Sequence, residues 1–530
     1  MIWTCNAVAR TGTRGAGGAL VGLAAWLFAP LSAQTPPAAV DTIVVVNHNV
    51  FDAGRDASGF LARLVNALHV TTRPWVIRHA LLVNQGDGYD SARVVESERA
   101  LRALNVFSRV RVDTTRLDGR LALRAATNDG WSTKPQFGFS SAAGDVSWMV
   151  GIVEDNFLGT ATSLTAVHSH TPDRSTFDLR YLSPHFLGRR TRLGLGYSDK
   201  SDGSSGSWTI GVPFYETAAR HALTTDGSAG SERVLIFRDG ALDTTLQHRT
   251  LRIGGTSGLA LHATSRDYVR LWVSGLWRRE VYEPDTATMF PDSVFGMVGT
   301  GLDVGHVRFQ VLERLNSFAR REDVDISQLV HLGVWAAPRA WGYSAAQAGV
   351  GVEASAQLAA PWPGGFAVLS GAGDGVFTPG APDSGRVSGA FSVVSQNLPG
   401  QTWILHLEGA RLRRPPPGVQ LDLSARQNGP RVFGIHAFTG TRMAWLALED
   451  RVVVADEIWG LFGLGVAPFF DYGGAWYANE LPRLDGDIGV SLRIGPTRSA
   501  RAAVGEIAVG YRFGEGVTGR RWGLTIRKAY

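Results

Sequence analysis

Apolar and polar residues alternate with a period of two along most of this chain. In "RSTFDLRY" (174–181), for example, Phe177, Leu179 and Tyr181 alternate with polar residues. A β-strand turns successive side chains to opposite faces, so each such segment predicts a strand with one apolar and one polar face. Because this pattern continues from residue 135 to residue 530 without a linker, it favours a transmembrane β-barrel over a string of soluble sandwiches.

Turn residues between these segments predict how the strands are connected. Polar, small-residue stretches at 198–207 and 215–234 are expected to form long loops, while 169–175 and 262–268 are expected to form short turns. Long loops on one side and short turns on the other are typical of a membrane barrel.

Helical periodicity is found in one segment, residues 91–105. Val94, Leu101 and Leu104 share a face of this predicted helix, Asp90 is a candidate N-cap, and Asn105 is a candidate stop. A strand at 75–83 is predicted before the helix, and a hairpin after it, with strands at 107–115 and 119–129. This order predicts a small α+β module ahead of the barrel.

The N-terminus carries the features of a secretory signal peptide. Arg10 and Arg14 precede an apolar run at 17–31, and small residues lead to a cleavage point after Ala33. An uncleaved anchor is the alternative, although the run is short for a membrane span. The single cysteine, Cys5, lies in this segment, so the mature chain is expected to contain no disulfide.

Composition narrows the class of protein further. The 64 glycines and 10% aromatic residues are typical of a protein with many strands and turns. Fifty-two basic residues against 47 acidic ones give a formal net charge of +5, without a basic cluster, so no nucleic-acid partner is expected.

The sequence shows few candidates for chemistry. It contains no phosphate-binding loop, no Gly-x-Ser-x-Gly elbow and no His-Glu-x-x-His motif. His168 and His170 share one strand face near Asp173, and could bind a metal, but two exposed histidines near a turn are the favoured interpretation. We therefore expect no catalytic residue, no metal and no cofactor, while a hydrolase site assembled from distant strands stays open.

Several segments together resemble the BamA/TamA superfamily of outer-membrane assembly and translocation barrels, also called bacterial surface antigens. The segment 76–112 resembles a POTRA repeat, the periplasmic module of that family, and segments 128–140 and 154–159 resemble the entry into its barrel. Three segments of the last quarter resemble the inward-folded lid loop and the two strands that receive it: "VFGIHAFTG" (432–440), "LEDRVVV" (448–454) and "PFFDYGGAWY" (468–477).

This resemblance implies a mainly β fold, namely an antiparallel transmembrane barrel of about sixteen strands preceded by a small α+β POTRA-like periplasmic domain. The first barrel strand is expected near 136–141. Five strands are expected after the lid, at about 442–454, 459–471, 486–495, 502–513 and 520–530. The expected domains are a signal peptide (1–33), an N-terminal linker or strand segment (34–70), the POTRA-like domain (71–130) and the barrel (135–530).

The resemblance also implies an ion-pair lock between the lid and the wall. In the family, an arginine of an Arg-Gly-aromatic motif in the lid binds acidic residues of the lumen. Here Phe433 precedes Gly434, and the nearest guanidinium is Arg431, so the motif departs from the family's. The candidate lid and lock residues are Arg431, Phe433, Gly434, Gly440, Glu449, Arg451 and Asp471.

Two alternatives to this lock stay open. Arg442 or Arg451 could hold the lid instead of Arg431. Glu449, Arg451, Asp471 and Arg493 could equally form a ladder of lumenal ion pairs that stiffens the barrel.

The last strand is implied to carry a recognition signal for outer-membrane insertion and to pair weakly with the first strand. The matching residues are Trp522, Leu524, Ile526 and Tyr530. A strand needed only for the protein's own assembly is the alternative.

The resemblance implies a non-enzymatic accessory factor that inserts or translocates proteins, or lipids, at the outer membrane. The expected partners are outer-membrane lipid, unfolded client proteins and periplasmic accessory proteins. A passive porin with a periplasmic cap and a barrel-embedded hydrolase are the rival functions.

Overall fold

A computed structural model defines the fold. It describes residues 38–51, 66–67, 69–142, 145–238, 240–284, 293–318, 321–341, 348–378, 381–423, 429–459, 462–497 and 504–528. The predicted signal peptide and Tyr530 lie outside the described residues.

Within the described residues, the N-terminal module contains a three-stranded sheet and two helices of seven residues or more. In chain order its elements are β1 (Thr42–His48), α1 (Pro74–Ala80), α2 (Ser91–Ala103), β2 (Phe107–Leu117) and β3 (Arg120–Asp129). The central strand β3 pairs in parallel with β1 and antiparallel with β2. Asp118 and Gly119 turn the β2–β3 hairpin with φ of 49° and 78°, the positive values that a two-residue type I′ turn requires.

The prediction of a strand at 75–83 is wrong, because most of this segment forms helix α1. Pro74 occupies its first turn, where the fixed φ of proline suits a helix and the missing N–H has no intrahelical role. Val76, Ile77 and Ala80 are buried together, which is helical rather than strand spacing. The β-branched residues favoured a strand, but packing on the module core decides the conformation.

Helix α2 is confirmed, as is its N-cap, since the Asp90 side chain accepts a hydrogen bond from the Ala92 N–H. Asn105 follows the helix with φ of 58°, a left-handed conformation that ends it. Val94 and Leu101 are buried in the core of the module, and Leu104 packs against that core.

Most of the described residues after the module form a closed antiparallel barrel, in which twenty strands are described. The strands before the lid are β4 (Thr133–Ala142), β5 (Asp145–Phe157), β6 (Thr162–His170), β7 (Ser175–Phe186), β8 (Thr191–Lys200), β9 (Gly203–Val212), β10 (His221–Arg238), β11 (Ala241–Ala263), β12 (Asp267–Pro284), β13 (Ser293–His306), β16 (Gln328–Ala337), β17 (Gly349–Trp362), β18 (Gly365–Thr378), β19 (Ala381–Ser395) and β20 (Gln401–Arg413). After the lid follow β23 (Arg442–Ile458), β24 (Phe462–Trp476), β25 (Asp485–Pro496), β26 (Gly505–Phe513) and β27 (Trp522–Lys528), which neighbours β4.

The five predicted strands after the lid are confirmed, but the total of sixteen is wrong. The extra strands lie upstream, where both segments predicted as long loops are largely strands: 198–207 forms the tight β8–β9 turn with its flanks, and most of 215–234 belongs to β10. These segments are rich in Ser, Thr and Gly, so they lack the apolar parity that marks a strand in the sequence. The short turns at 169–175 and 262–268 are confirmed.

The outward face of the barrel is apolar. On β16, for example, Val330, Leu332 and Val334 are exposed outward, while His331 and Trp335 on the other parity line the lumen. An outward apolar band with a polar interior is the arrangement of a barrel that spans a membrane. Within the described residues, no helix has the length and apolar character needed to cross a membrane.

Two chain segments fold into the lumen. The first, which we call the inner hairpin, joins β13 to β16 and consists of β14 (Phe309–Glu313), β15 (Arg321–Asp325) and their connection. The second, the lid, is the loop 414–441 between β20 and β23, in which β21 (Leu421–Leu423) pairs with β22 (Phe438–Gly440).

Candidate lid-anchoring site

The lid packs against the inner wall through apolar contacts. Phe433 and Phe438 are buried with their ring centroids 5.0 Å apart, in a cluster that includes Leu423 and Ala475. Gly440 allows the lid to touch the wall, because a Cβ there would lie 2.2 Å from the carbonyl carbon of Trp476. Gly434, by contrast, is only half-buried.

Arg431, at the start of the described C-terminal part of the lid, inserts its guanidinium into a cluster of wall carboxylates. Its Nε lies 2.7 Å from Asp471 Oδ2, and its Nη1 lies 3.1 Å from Glu449 Oε2 and 3.0 Å from Glu506 Oε1. The guanidinium also stacks 4.2 Å from the ring centre of Phe469. The Arg431 residue is only 3% exposed, so these ion pairs are shielded from water and depend on one another.

Strand periodicity explains why the acidic residues meet here. Leu448 is exposed on the outward face of β23, so Glu449 on the other parity points into the lumen. Asp471 on β24 lies opposite Ala447, one diagonal step from Glu449, and both acids are buried. The geometry therefore brings together the predicted residues Arg431, Glu449 and Asp471.

Arg451 completes the cluster from the wall. It lies two residues from Glu449 on the same inward face, and its Nε is 2.6 Å from Glu449 Oε1. The alternative anchor Arg442 is the first residue of β23, seven residues before Glu449. At about 3.3 Å per residue this separation exceeds the reach of its side chain.

Backbone contacts fasten the lid to the strands nearest the chain terminus. The Val432 N–H donates to Asp487 Oδ2 at 2.7 Å, and Arg512 Nε donates to the Val432 carbonyl at 2.7 Å. Thr525 Oγ1 on the last strand donates to the Arg431 carbonyl at 2.8 Å. Arg431 and Val432 of the lid thus contact the inner faces of strands β23 to β27.

Sequence reasoning missed several members of this cluster. Glu506 is 2% exposed and also pairs with Arg527. Asp487 accepts a hydrogen bond from the lid backbone, and Thr525 donates one to it. Their inward parity was visible in the sequence, since Ile507 and Leu524 beside them are apolar. What the sequence could not show is the inter-strand register, which places Glu506 opposite both Arg493 and Arg527.

His436 holds the lid at a second point. Its Nδ1 lies 2.6 Å from Asp422 Oδ2 on β21, and its Nε2 lies 2.9 Å from Asp173 Oδ2 in the β6–β7 turn. Its ring stacks on Phe237 with centroids 3.5 Å apart. Burial lowers the pKa of His436, but the hydrogen bonds to Asp173 and Asp422 outweigh it and raise the pKa to about 9.

The histidine pair considered as a metal site is arranged differently. His168 and His170 lie beside the Trp148 ring, with centroids 5.3 and 5.9 Å away, while Asp173 faces His436 instead. Among the described residues, no group of three or more His, Cys, Asp or Glu side chains is arranged to hold a metal ion.

The last strand presents its predicted apolar residues outward. Trp522 is 67% exposed and Leu524 49% exposed, and Ile526 lies on the same parity. The opposite face, with Thr525, contacts the lid as described above. The role of the outward residues as an insertion signal stays a prediction.

One polar alignment in the wall bears on the hydrolase alternative. Ser392 Oγ lies 2.8 Å from His406 Nδ1, and His406 Nε2 lies 3.4 Å from Glu408 Oε2. A nucleophilic serine also needs donors for an oxyanion. Here the backbone of β19 and β20 around Ser392 and His406 serves the strand ladder, so we interpret the alignment as part of the wall.

Comparison with known proteins gives structural likeness but no sequence match. No family model matches the chain, and a search of curated proteins finds no match either. Solved structures that resemble it include BamA from Haemophilus ducreyi lacking POTRA domains 1–3 (12% identity, 91% of this chain and 84% of that chain, TM-score 0.40). CdiB from Acinetobacter baumannii is similar too (10% identity, 92% of this chain and 74% of that chain, TM-score 0.43). So is CdiB from Escherichia coli (13% identity, 95% of this chain and 92% of that chain, TM-score 0.46). All three likenesses have low sequence identity and a TM-score below 0.5.

We predict that Arg431→Met opens the lid. Removing the guanidinium leaves Asp471, Glu449 and Glu506 buried with fewer cations, a change that costs about 3–5 kcal/mol in comparable sites. The measurement is the rate at which a membrane-impermeant maleimide labels Thr439→Cys, a buried lid position, in a Cys5→Ser background. We expect labelling at least about tenfold faster than in the parent, since each 1.4 kcal/mol is a factor of ten. Arg414→Met, at an exposed lid arginine, is the matched control, and equal rates in both variants would contradict the lock.

We also predict that the His436 contact weakens at alkaline pH. The folded pKa is raised above the ordinary value of 6.5, so the stabilisation is fully present below about pH 6.5 and is lost as the pH rises through about 9. Labelling of Thr439→Cys, divided by that of Leu481→Cys at an 88% exposed site, corrects for thiol reactivity. The ratio should rise between pH 7 and pH 10. A flat ratio over that range would refute the assignment.

Proposed function

We propose that this chain is an outer-membrane barrel that assists the insertion or translocation of other proteins, or of lipids, without chemistry of its own. The observation that carries the proposal is the lid anchor, in which Arg431 is bound to β23, β24 and β26 through side chains and to β27 through Thr525. The strand β27 is also one side of the junction with β4. Opening the lid would therefore remove a support from the strand at the barrel seam.

A loosened seam gives a physical route for insertion. A strand edge with free N–H and C=O groups pairs readily with another strand. β27 pairs with its other neighbour, β26, over seven described residues, which is a short pairing for this barrel. In this proposal a client strand adds to the edge that opens between β27 and β4.

The N-terminal module supports the same role. In the order β1-β3-β2, each outer strand has one edge that pairs with no other strand among the described residues. Such an edge can receive an extended chain by β-augmentation, and we propose that the module is POTRA-like and lies in the periplasm. We propose an accessory role for the chain rather than that of a central assembly protein. Unfolded clients, periplasmic accessory proteins and outer-membrane lipid are the proposed partners.

The two segments that enter the lumen argue against the passive porin. A porin keeps a water-filled channel open, whereas here the lid enters the lumen and the inner hairpin reaches its wall. Arg451 of the wall donates to the Leu315 carbonyl of the inner hairpin and binds Glu449, which in turn binds Arg431 of the lid. Such an arrangement favours a gated barrel.

The test of this function is depletion of the protein in its native cell, followed by mass spectrometry of purified outer membranes. We expect a defined set of other barrels to fall while their periplasmic precursors accumulate. Re-expression of the wild type should restore that set, whereas Arg431→Met should restore it incompletely because the lid is no longer held. An unchanged outer-membrane proteome together with altered solute uptake would contradict the assembly role and favour a pore.

A further inference from the structure

One face of helix α2 lies on the barrel mouth at the module end. Glu96 Oε1 accepts hydrogen bonds from the Thr217 N–H and Oγ1, both at 2.8 Å, in the β9–β10 connection. Three residues on, the Arg99 guanidinium stacks 4.1 Å from the ring centre of Phe309 in the inner hairpin. Positions three apart share a helix face, so α2 is seated on both segments at once.

Arg102, three residues further along the same face, makes the closest contact with the inner hairpin. Its Nε lies 2.6 Å from Asp323 Oδ2 and its Nη2 lies 2.6 Å from Asp323 Oδ1. The Arg102 side chain is 15% exposed and the Asp323 side chain 16% exposed. A two-pronged, largely buried pair of this kind fixes orientation as well as distance.

The inner hairpin is held by internal hydrogen bonds and by contacts with the wall, so a displacement at one end can move the other end. At its far end Glu322 accepts the Asn316 N–H at 2.9 Å and the Ser317 hydroxyl at 2.8 Å. Leu312 and Leu315 are buried against the lumenal side chains of Phe366 and Val394. The hydrogen bonds therefore join the second strand of the hairpin to its connection, and the apolar contacts hold the hairpin against the wall.

The connection of the inner hairpin fits closely against the wall strands that carry the lid anchor. Phe318 lies over the inward glycines of β24 and β25, where a Cβ on Gly463 would lie 2.2 Å from Phe318 Cγ. Arg451 Nη1 donates to the Leu315 carbonyl at 2.6 Å, while Arg451 Nε binds Glu449. Glu449 in turn binds Arg431 of the lid.

We propose that the inner hairpin couples the seating of the N-terminal module on the barrel mouth to closure of the lid. A continuous series of direct contacts joins the two ends of the barrel: Arg102–Asp323, the inner hairpin, Arg451, Glu449 and Arg431. A client that displaces α2 from the inner hairpin withdraws Leu315 from Arg451. Glu449 and Arg451 then rearrange, and the lid arginine loses part of its site.

This regulation deepens the proposed function, on which its meaning rests, but its test needs no client. The variant is Asp323→Asn, which removes the charge that Arg102 binds while Arg102 keeps its other partner, Glu98. The matched control is Asp113→Asn, which breaks a two-pronged pair with Arg124 on the module sheet, at 2.9 and 2.8 Å, and touches no barrel residue in that pair. Heat-modifiable migration in gels verifies that each barrel is folded.

Two cysteine probes, in a Cys5→Ser background, report the two ends of the series separately. Ser317→Cys reports the inner hairpin and Thr439→Cys reports the lid, and both positions are buried. With Asp323→Asn we expect maleimide labelling of both probes to rise about fivefold or more, as local opening becomes easier. Asp113→Asn should leave both rates unchanged, and Arg431→Met serves as the positive control for the lid.

Faster labelling of Ser317→Cys with an unchanged rate at Thr439→Cys would overturn the coupling, because the inner hairpin would move without the lid. Unchanged labelling rates at both probes would contradict the proposal that the module keeps the inner hairpin in place. If Asp323→Asn does not fold, Arg99→Ala, which removes the stack on Phe309, takes its place with the same two readouts. If Asp323→Asn speeds labelling at both probes but depletion of the protein leaves other barrels unaffected, the coupling stands and only the assembly role is contradicted.

Discussion

A buried guanidinium must be paired, and in this barrel that requirement determines how the lid, the wall and the last strand fit together. Arg431 is almost fully buried, so its charge is tolerable only with Asp471, Glu449 and Glu506 around it. Those carboxylates come from three different strands. The lid can therefore occupy its place only when β23, β24 and β26 are correctly aligned.

The barrel supplies these partners through the period of two. The outward face of the last five strands is mainly apolar, and most of their charged groups point to the lumen or lie at a strand end, with Asp450 in the middle of β23 as an exception. Among the described residues, the inward faces carry five acids and four bases, all buried or partly buried: Glu449, Asp471, Asp485, Asp487 and Glu506, and Arg451, Arg493, Arg512 and Arg527. With Arg431 added, these five carboxylates are matched by five guanidiniums. The lid thus brings the charge that balances the wall, and for this reason the alternatives of a lid anchor and a stiffening ladder describe parts of one network.

Much of this arrangement was predictable from residue order, and the failures have physical causes. Alternation located the five last strands and the lid, and inward parity singled out Glu449 and Asp471 as neighbours. It missed Glu506, because register between β25 and β26 depends on pairing that no single strand reveals. It also undercounted the strands, since Ser- and Gly-rich segments such as β9 form ladders without an apolar face. The inner hairpin escaped notice because five-residue strands such as "REDVD" carry almost no apolar pattern and are held by contacts distant in sequence.

The most direct test of the central ion pair is a double-mutant cycle between Arg431 and Asp471, with lid labelling at Thr439→Cys as the readout. Arg431→Met, Asp471→Asn and the double variant are compared with the parent. If the two residues act through each other, the second change should add little once the first is present, and the effects should fall well short of additive. Fully additive effects would mean that Arg431 and Asp471 act independently, and would contradict this account of how the lid is held.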